Sequence, residues 1–144
     1  KNKRVKTSGG KEMCLLMEKA KKDMDVVNTM QKINDELYLD VCCYHTQQAI
    51  EKLLKCSIEL KGVTYEFTHS IITLYAQYIS VGWGEIEMLE LMSGTITGWE
   101  ASSRYKESFV ATVKQLEAAK GLYEILFNRL LEYLNNSAKK LDSF

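Results

Sequence analysis

The sequence predicts an all-α protein, an up-and-down antiparallel helical bundle of three long helices plus one or two short ones. Three observations point there. The 144 residues contain no proline and only eight glycines, so the turns of a many-stranded sheet would lack their usual residues. Apolar residues recur in steps of three and four over long stretches. No run alternates apolar and polar long enough to argue for a sheet. A hydrophobic fraction of 46% is sufficient to fill one core.

The first helix is predicted from about Glu12 to Asn34, with Met13, Leu16, Met17, Ala20, Met24 and Val27 on one stripe. Asn34-Asp35 breaks the pattern and caps the next segment. That second helix runs from about Asp35 to Lys61 and carries two stripes. Tyr38, Cys42, His45, Ala49, Leu53, Cys56 and Leu60 form one; Cys43, Ile50, Leu54 and Ile58 form the other. A helix apolar on two sides packs between neighbours. Gly62 is suited to end it. After a loop over residues 63–68, a third helix starts near His69, with Ile72, Tyr75, Ala76 and Ile79 facing the core. Gly82-Trp83-Gly84 interrupts it, and a short amphipathic piece with Ile86, Leu89 and Met92 follows. Residues 93–105 read as the least regular interior stretch. The last helix is expected to start near Lys106. Its stripe of Phe109, Val113, Leu116, Tyr123, Phe127, Leu130 and Leu134 is interrupted only by Lys120.

Nineteen basic residues balance nineteen acidic ones, which gives no global field to attract nucleic acid. The balance is uneven along the chain. Residues 1–11 carry five basic groups and no acid, so the other 133 carry fourteen basic against nineteen acidic. Residues 1–11 therefore read as a basic flexible arm or linker, and 12–144 as the bundle. No apolar run is long enough to span a bilayer, and no signal-peptide pattern follows the charged start. Cys14, Cys42, Cys43 and Cys56 lack zinc-finger or CxxC spacing and are expected as free thiols in a reducing, cytoplasmic compartment.

Few residues suggest chemistry. There is no glycine-rich phosphate loop, HExxH or GxSxG. Glu66-x-x-His69 matches one Glu-x-x-His element of di-iron bundles, which need two such elements and two further inward Glu. Cys42, Cys43 and His45 lack a fourth zinc ligand. No metal, cofactor or catalytic residue is therefore assigned. Cys42 lies one turn from His45, yet a buried structural cysteine outweighs a nucleophile. His45 is either a hydrogen-bonded core histidine or a polar group lining a groove or dimer seam. The edge of Gln48, Glu51, Lys52 and Lys55 is either a solvated face with Glu51–Lys55 pairing or a partner-facing edge.

The run Cys42-Cys43-Tyr44-His45-Thr46-Gln47-Gln48-Ala49-Ile50-Glu51-Lys52-Leu53-Leu54-Lys55 resembles the signature helix of HEPN domains, where C-[FY]-H-x-Q-Q-A-x-E-K-x-L-K is typical. Ala20 and Asp23 fit the family's A-x-x-D in the opening helix. Residues 62–69 (GVTYEFTH) fit its G-x-x-[FY]-x-x-[ST]-H turn, and Arg104-Tyr105 fits its [AS]-R-Y element, with Lys106 in place of the usual proline. The resemblance covers roughly Met13 to Tyr133. It implies a helical bundle that dimerises. It further implies either a ribonuclease toxin carrying R-x(4–6)-H or a nucleotide-binding partner, separate or fused, of a minimal nucleotidyltransferase. Arg104 is followed at the three relevant positions by Phe109, Val110 and Ala111, so the nuclease pattern is absent. The resemblance thus implies a non-catalytic binding and homodimerisation module associated with a nucleotidyltransferase, with His45, Gln48, Lys52, Arg104 and Tyr105 as ligand or groove candidates. The start at Lys1 and the Gly9-Gly10 lead-in leave room for an upstream transferase domain. A divergent nuclease using His45 or His69, or a purely structural dimer, are the alternatives.

Overall fold

A computed structural model describes residues 4–6, 12–102 and 109–142. Two three-residue strands, β1 (Arg4–Lys6) and β2 (Glu12–Cys14), precede five helices: α1 (Leu15–Asn34), α2 (Leu39–Leu60), α3 (Ile71–Ser80), α4 (Glu87–Ser102) and α5 (Val113–Asp142). The strands pair antiparallel, Val5 opposite Met13, so part of the stretch read as an arm lies against the bundle's first helical entry. Among the described residues no helix is long and apolar enough to cross a membrane.

The stripes predicted from spacing form the core in α1, α2 and α5. Met17, Ala20, Met24 and Val27 of α1 are buried, as are Leu116, Leu122, Leu126, Leu130 and Leu134 of α5. Most of both stripes of α2 is buried, because α2 packs against all four other helices; Tyr38, His45 and Leu60 are half-buried. In α3 the expected face of Ile72, Tyr75, Ala76 and Ile79 is wrong by about one residue: the helix packs on α2 and α4 through Ile71, Leu74, Tyr75 and Tyr78, which leaves Ile72 and Ala76 exposed. Gly62 adopts a φ of +78° just past α2. Its N–H donates to Glu59 O at 3.0 Å, the left-handed helix stop that glycine permits without strain.

Five boundaries differ from the sequence expectation. α1 starts at Leu15, not Glu12, because residues 12–14 are held extended by pairing with β1. α2 starts at Leu39, not Asp35, because residues 35–38 form a turn that Asn34 closes by accepting from Leu37 N at 3.0 Å. The third helix begins at Ile71, two residues after His69, where Ser70 supplies the N-cap by accepting from Thr73 N at 3.2 Å. Residues 93–102, expected to be irregular, continue α4. Burial of Ile96 and Trp99 outweighs the helix cost of Gly94 and Gly98. Thr97 reinforces this by accepting from Ile71 N at 3.0 Å. α5 begins at Val113, not Lys106. Thr112 Oγ1 accepts from Gln115 N at 3.1 Å and Gln115 Oε1 accepts from Thr112 N at 3.0 Å. This is a capping box, and it fixes the start.

The cysteines also divide. Cys14 and Cys56, expected as free thiols, form a disulfide that ties the start of α1 to the last turns of α2. Cys42 and Cys43 are free and buried. Disulfides persist in oxidising surroundings, so the thiol argument for a reducing compartment rests on Cys42 and Cys43 alone.

Trp83 anchors the α3–α4 connection. Its ring stacks on Tyr78 at 5.5 Å and meets Tyr133 of α5 at 5.1 Å. Its Nε1–H donates to Ser57 O at 2.9 Å. Lys61 Nζ sits 4.9 Å from the Trp83 ring centre and 5.0 Å from that of Tyr133, so a cation closes the cluster. Arg129 donates to Tyr78 Oη at 3.2 Å and to the carbonyls of Gly84 and Glu85.

Candidate functional site

The signature stretch of α2 places its polar residues on one arc. At about 100° per residue, His45 and Lys52 fall on the edge beside α1. Gln47 and Glu51 fall on the edge beside the α2–α3 loop, with Gln48 and Lys55 between them. Residues 45–55 extend this strip about 15 Å along the helix.

A carboxylate holds each edge. On the α1 side, Asp23 Oδ1 meets His45 Nδ1 at 3.0 Å, and Asp23 Oδ2 accepts from Lys52 Nζ at 2.6 Å. On the loop side, Glu51 Oε1 meets His69 Nδ1 at 3.0 Å, and Glu51 Oε2 accepts from Lys55 Nζ at 2.8 Å. Gln47 Nε2 also donates to Glu51 Oε1 at 3.1 Å and to His69 O at 3.2 Å, while Gln48 Nε2 donates to Gln47 Oε1 at 2.7 Å. The strip therefore contains two copies of one arrangement: a carboxylate gripping a histidine with one oxygen and a lysine with the other.

The arrangement fixes tautomers. An ionised carboxylate only accepts, so each Nδ1 carries a proton and each Nε2 is turned away from its carboxylate. Glu51 is buried at its edge, with its side chain 6% exposed. Burial pushes its carboxyl up, but hydrogen bonds from Lys55, His69 and Gln47 and the Lys55 charge together hold it below the usual carboxylate value.

Lys52 and Lys55 are each neutralised at short range. Neither meets a developing negative charge without first leaving its carboxylate, which limits the strip as a centre for transition-state stabilisation. The cysteines are equally unsuited. Burial pushes the Cys43 thiol up to about 12 and raises that of Cys42. The Cys42 Sγ contacts Val27 O at 3.7 Å, which matches the structural reading. His69 of the Glu-x-x-His pattern faces Glu51 on α2. Among the described residues no group of three or more His, Cys, Asp or Glu side chains converges for a metal.

A family model described as HEPN domain matches residues 13–135. The chain belongs to the HEPN domain family. No curated protein and no solved structure was found to match it.

Of the five HEPN groove candidates, the structure brings His45, Gln48 and Lys52 together on the α2 strip. Arg104 and Tyr105 lie outside the described residues. Sequence reasoning missed the partners. Asp23 was visible only as part of A-x-x-D, and its spacing of 22 residues from His45 carries no local signal. Gln47 stood in the signature run as one more polar residue near His45, with no signal that it would meet Glu51 and the His69 carbonyl. The pairing of Glu51 with Lys55 follows the i,i+4 rule and was expected; that of Glu51 with His69 crosses a loop and was not.

Proposed function

We propose that this HEPN domain is a non-catalytic binding and dimerisation module that binds nucleotide along the α2 strip and serves a minimal nucleotidyltransferase, as a separate partner or a fused domain. The observation that carries this is the paired clamp on α2. Its histidines, glutamines and lysines are held in fixed positions, so a ligand meets an ordered polar surface at little entropic cost. The same clamps neutralise the two lysines, which favours recognition over charge stabilisation in a reaction. Arg129, one of the three arginines in the chain, is committed to Tyr78 and the Gly84 and Glu85 carbonyls. Arg104 lacks the histidine that nuclease members place after it. The homodimer half of the proposal draws on Ile72, Met88 and Leu91 of α3 and α4, which expose apolar side chains.

Calorimetry with nucleoside mono- and triphosphates tests the binding reading. Wild type is expected to bind, and His45→Ala and Lys52→Ala to bind about tenfold more weakly. RNA cleavage by the wild type that disappears in His45→Ala would replace this reading with the nuclease alternative. Light scattering is expected to give twice the 16.5 kDa chain mass.

A further inference from the structure

The loop that joins α2 to α3 presents an aromatic ring to water and holds it there. Phe67 is 90% exposed. A single exposed apolar side chain is ordinary, but this one is braced from several directions. Its ring meets Tyr65 edge-on, 5.9 Å between centres. Tyr65 in turn lies under the Lys55 ammonium, 5.2 Å from its ring centre. Gln77 of α3 clasps the backbone on the near side, accepting from Glu66 N at 3.0 Å and donating to Thr64 O at 2.9 Å. On the far side, His69 is tied to Glu51, and its carbonyl to Gln47. Thr68 Oγ1 accepts from Ser70 N at 3.0 Å. The backbone on both sides of Phe67 is thus fixed, and the ring gains no burial from it.

Polar groups lie on the same loop and on the helix behind it. His69, two residues on and 63% exposed, offers Nε2 while Glu51 holds Nδ1. Lys55 links Tyr65 to the α2 strip through Glu51. A flat apolar face on a loop that also carries an exposed imidazole edge fits a flat ligand with a hydrogen-bonding edge. A nucleobase has these two features. An aliphatic partner would have no use for the imidazole.

We propose that Phe67 is the base-stacking face of the nucleotide site, supported by Tyr65, with His69 at the base edge and the α2 strip beside it. This rests on the nucleotide-binding reading above and adds the residue that receives the base. The shared chemistry is an unpaired nucleotide, either free or within single-stranded RNA.

The test titrates wild type, Phe67→Ala, Phe67→Leu and Phe67→Trp with ATP, with a labelled single-stranded RNA ten-mer and with inorganic pyrophosphate. Thermal melts confirm that each variant folds. Phe67→Ala and Phe67→Leu are expected to lose about tenfold in affinity for the base-bearing probes. Phe67→Trp is expected to restore it, and pyrophosphate binding to be unchanged across the series. The tighter of ATP and RNA assigns the source. If Phe67→Ala binds base-bearing probes like wild type while His45→Ala binds them more weakly, the stacking face is overturned and the α2 reading survives. If Phe67→Leu matches wild type, the ring serves as an apolar contact and stacking is again overturned. If wild type binds neither ATP nor RNA, both readings fall.

Discussion

The connections on the two sides of α3 each carry a large aromatic and a nearby lysine, yet they treat the aromatic in opposite ways. In the α3–α4 connection Trp83 stacks on Tyr78, meets Tyr133, donates to Ser57 O and lies beneath Lys61. In the α2–α3 connection Tyr65 lies beneath Lys55 and Phe67 stands in water. Both segments are well anchored: Arg129 grips the first through its carbonyls, and Gln77 grips the second. Anchoring therefore does not separate them. The difference is in what the anchoring serves. Around Trp83 it joins α2, α3 and α5; around Phe67 it holds a ring away from the core.

The sharpest way to break this comparison is at Trp83. Trp83→Ala removes two ring contacts, the hydrogen bond to Ser57 O and the surface beneath Lys61. It is expected to destabilise the fold by about 3 kcal/mol, read as a shift in the urea midpoint. A loss under about 1 kcal/mol would mean that the cluster is an ornament on a bundle held by its leucines.

A smaller effect is expected at Glu51, which connects the loop to α2. Its carboxyl is held below the ordinary value of 4.5, so the folded state binds its proton less readily than the unfolded chain. The stability it contributes is complete above about pH 4.5 and is lost as pH falls through the lower folded value. Glu51→Gln is expected to cost about 1.5 kcal/mol at pH 7, measured by denaturant titration. Its deficit relative to wild type should narrow below pH 4.5. A deficit that stayed constant down to strongly acid pH would show that the charge of Glu51 is not what holds Lys55 and His69.

These two regions were not equally legible in the sequence. The long helices of the core announced themselves, because burial on one side of a helix imposes the three–four step that Met17, Ala20, Met24 and Val27 display; the ten-residue α3 is apolar on more than one side, and its buried face was read wrongly. The α2 motif was legible for the same reason, with its polar arc set between two apolar stripes. Most of the helix ends that failed were governed by side-chain caps. Thr112 and Gln115 fix the start of α5, but Phe109 continued the apolar stripe upstream and masked them. Gly94 and Gly98 suggested a break in α4, yet the burial of Ile96 and Trp99 overrode propensity. The site partners were hidden because Asp23 and His45, or Glu51 and His69, meet only after two separate elements have packed. The Cys14–Cys56 link depends likewise on the position of the strand pair against α2. Local patterning reports which face of an element is buried, and not which side chain of another element it will meet.

The smallest expected effect is the one that best distinguishes the two connections. Phe67→Ala removes a ring that is nine-tenths exposed, so almost no burial is lost. Its edge contact to Tyr65 is worth at most about 1 kcal/mol, and at an exposed position substitutions generally stay within about 0.5 kcal/mol. The melting temperature should therefore be nearly unchanged, while Trp83→Ala in the same assay shows a clear loss. Had the loop been braced in order to hold the fold together, removing its most prominent side chain would loosen it, and amide exchange at Glu66 and Ser70 would accelerate together with a drop in stability. Unchanged exchange with unchanged stability would leave the loop backbone as rigid without Phe67 as with it. The rigidity would then come from Gln77, Glu51 and Thr68, and the ring would be free to serve a ligand at no cost to folding.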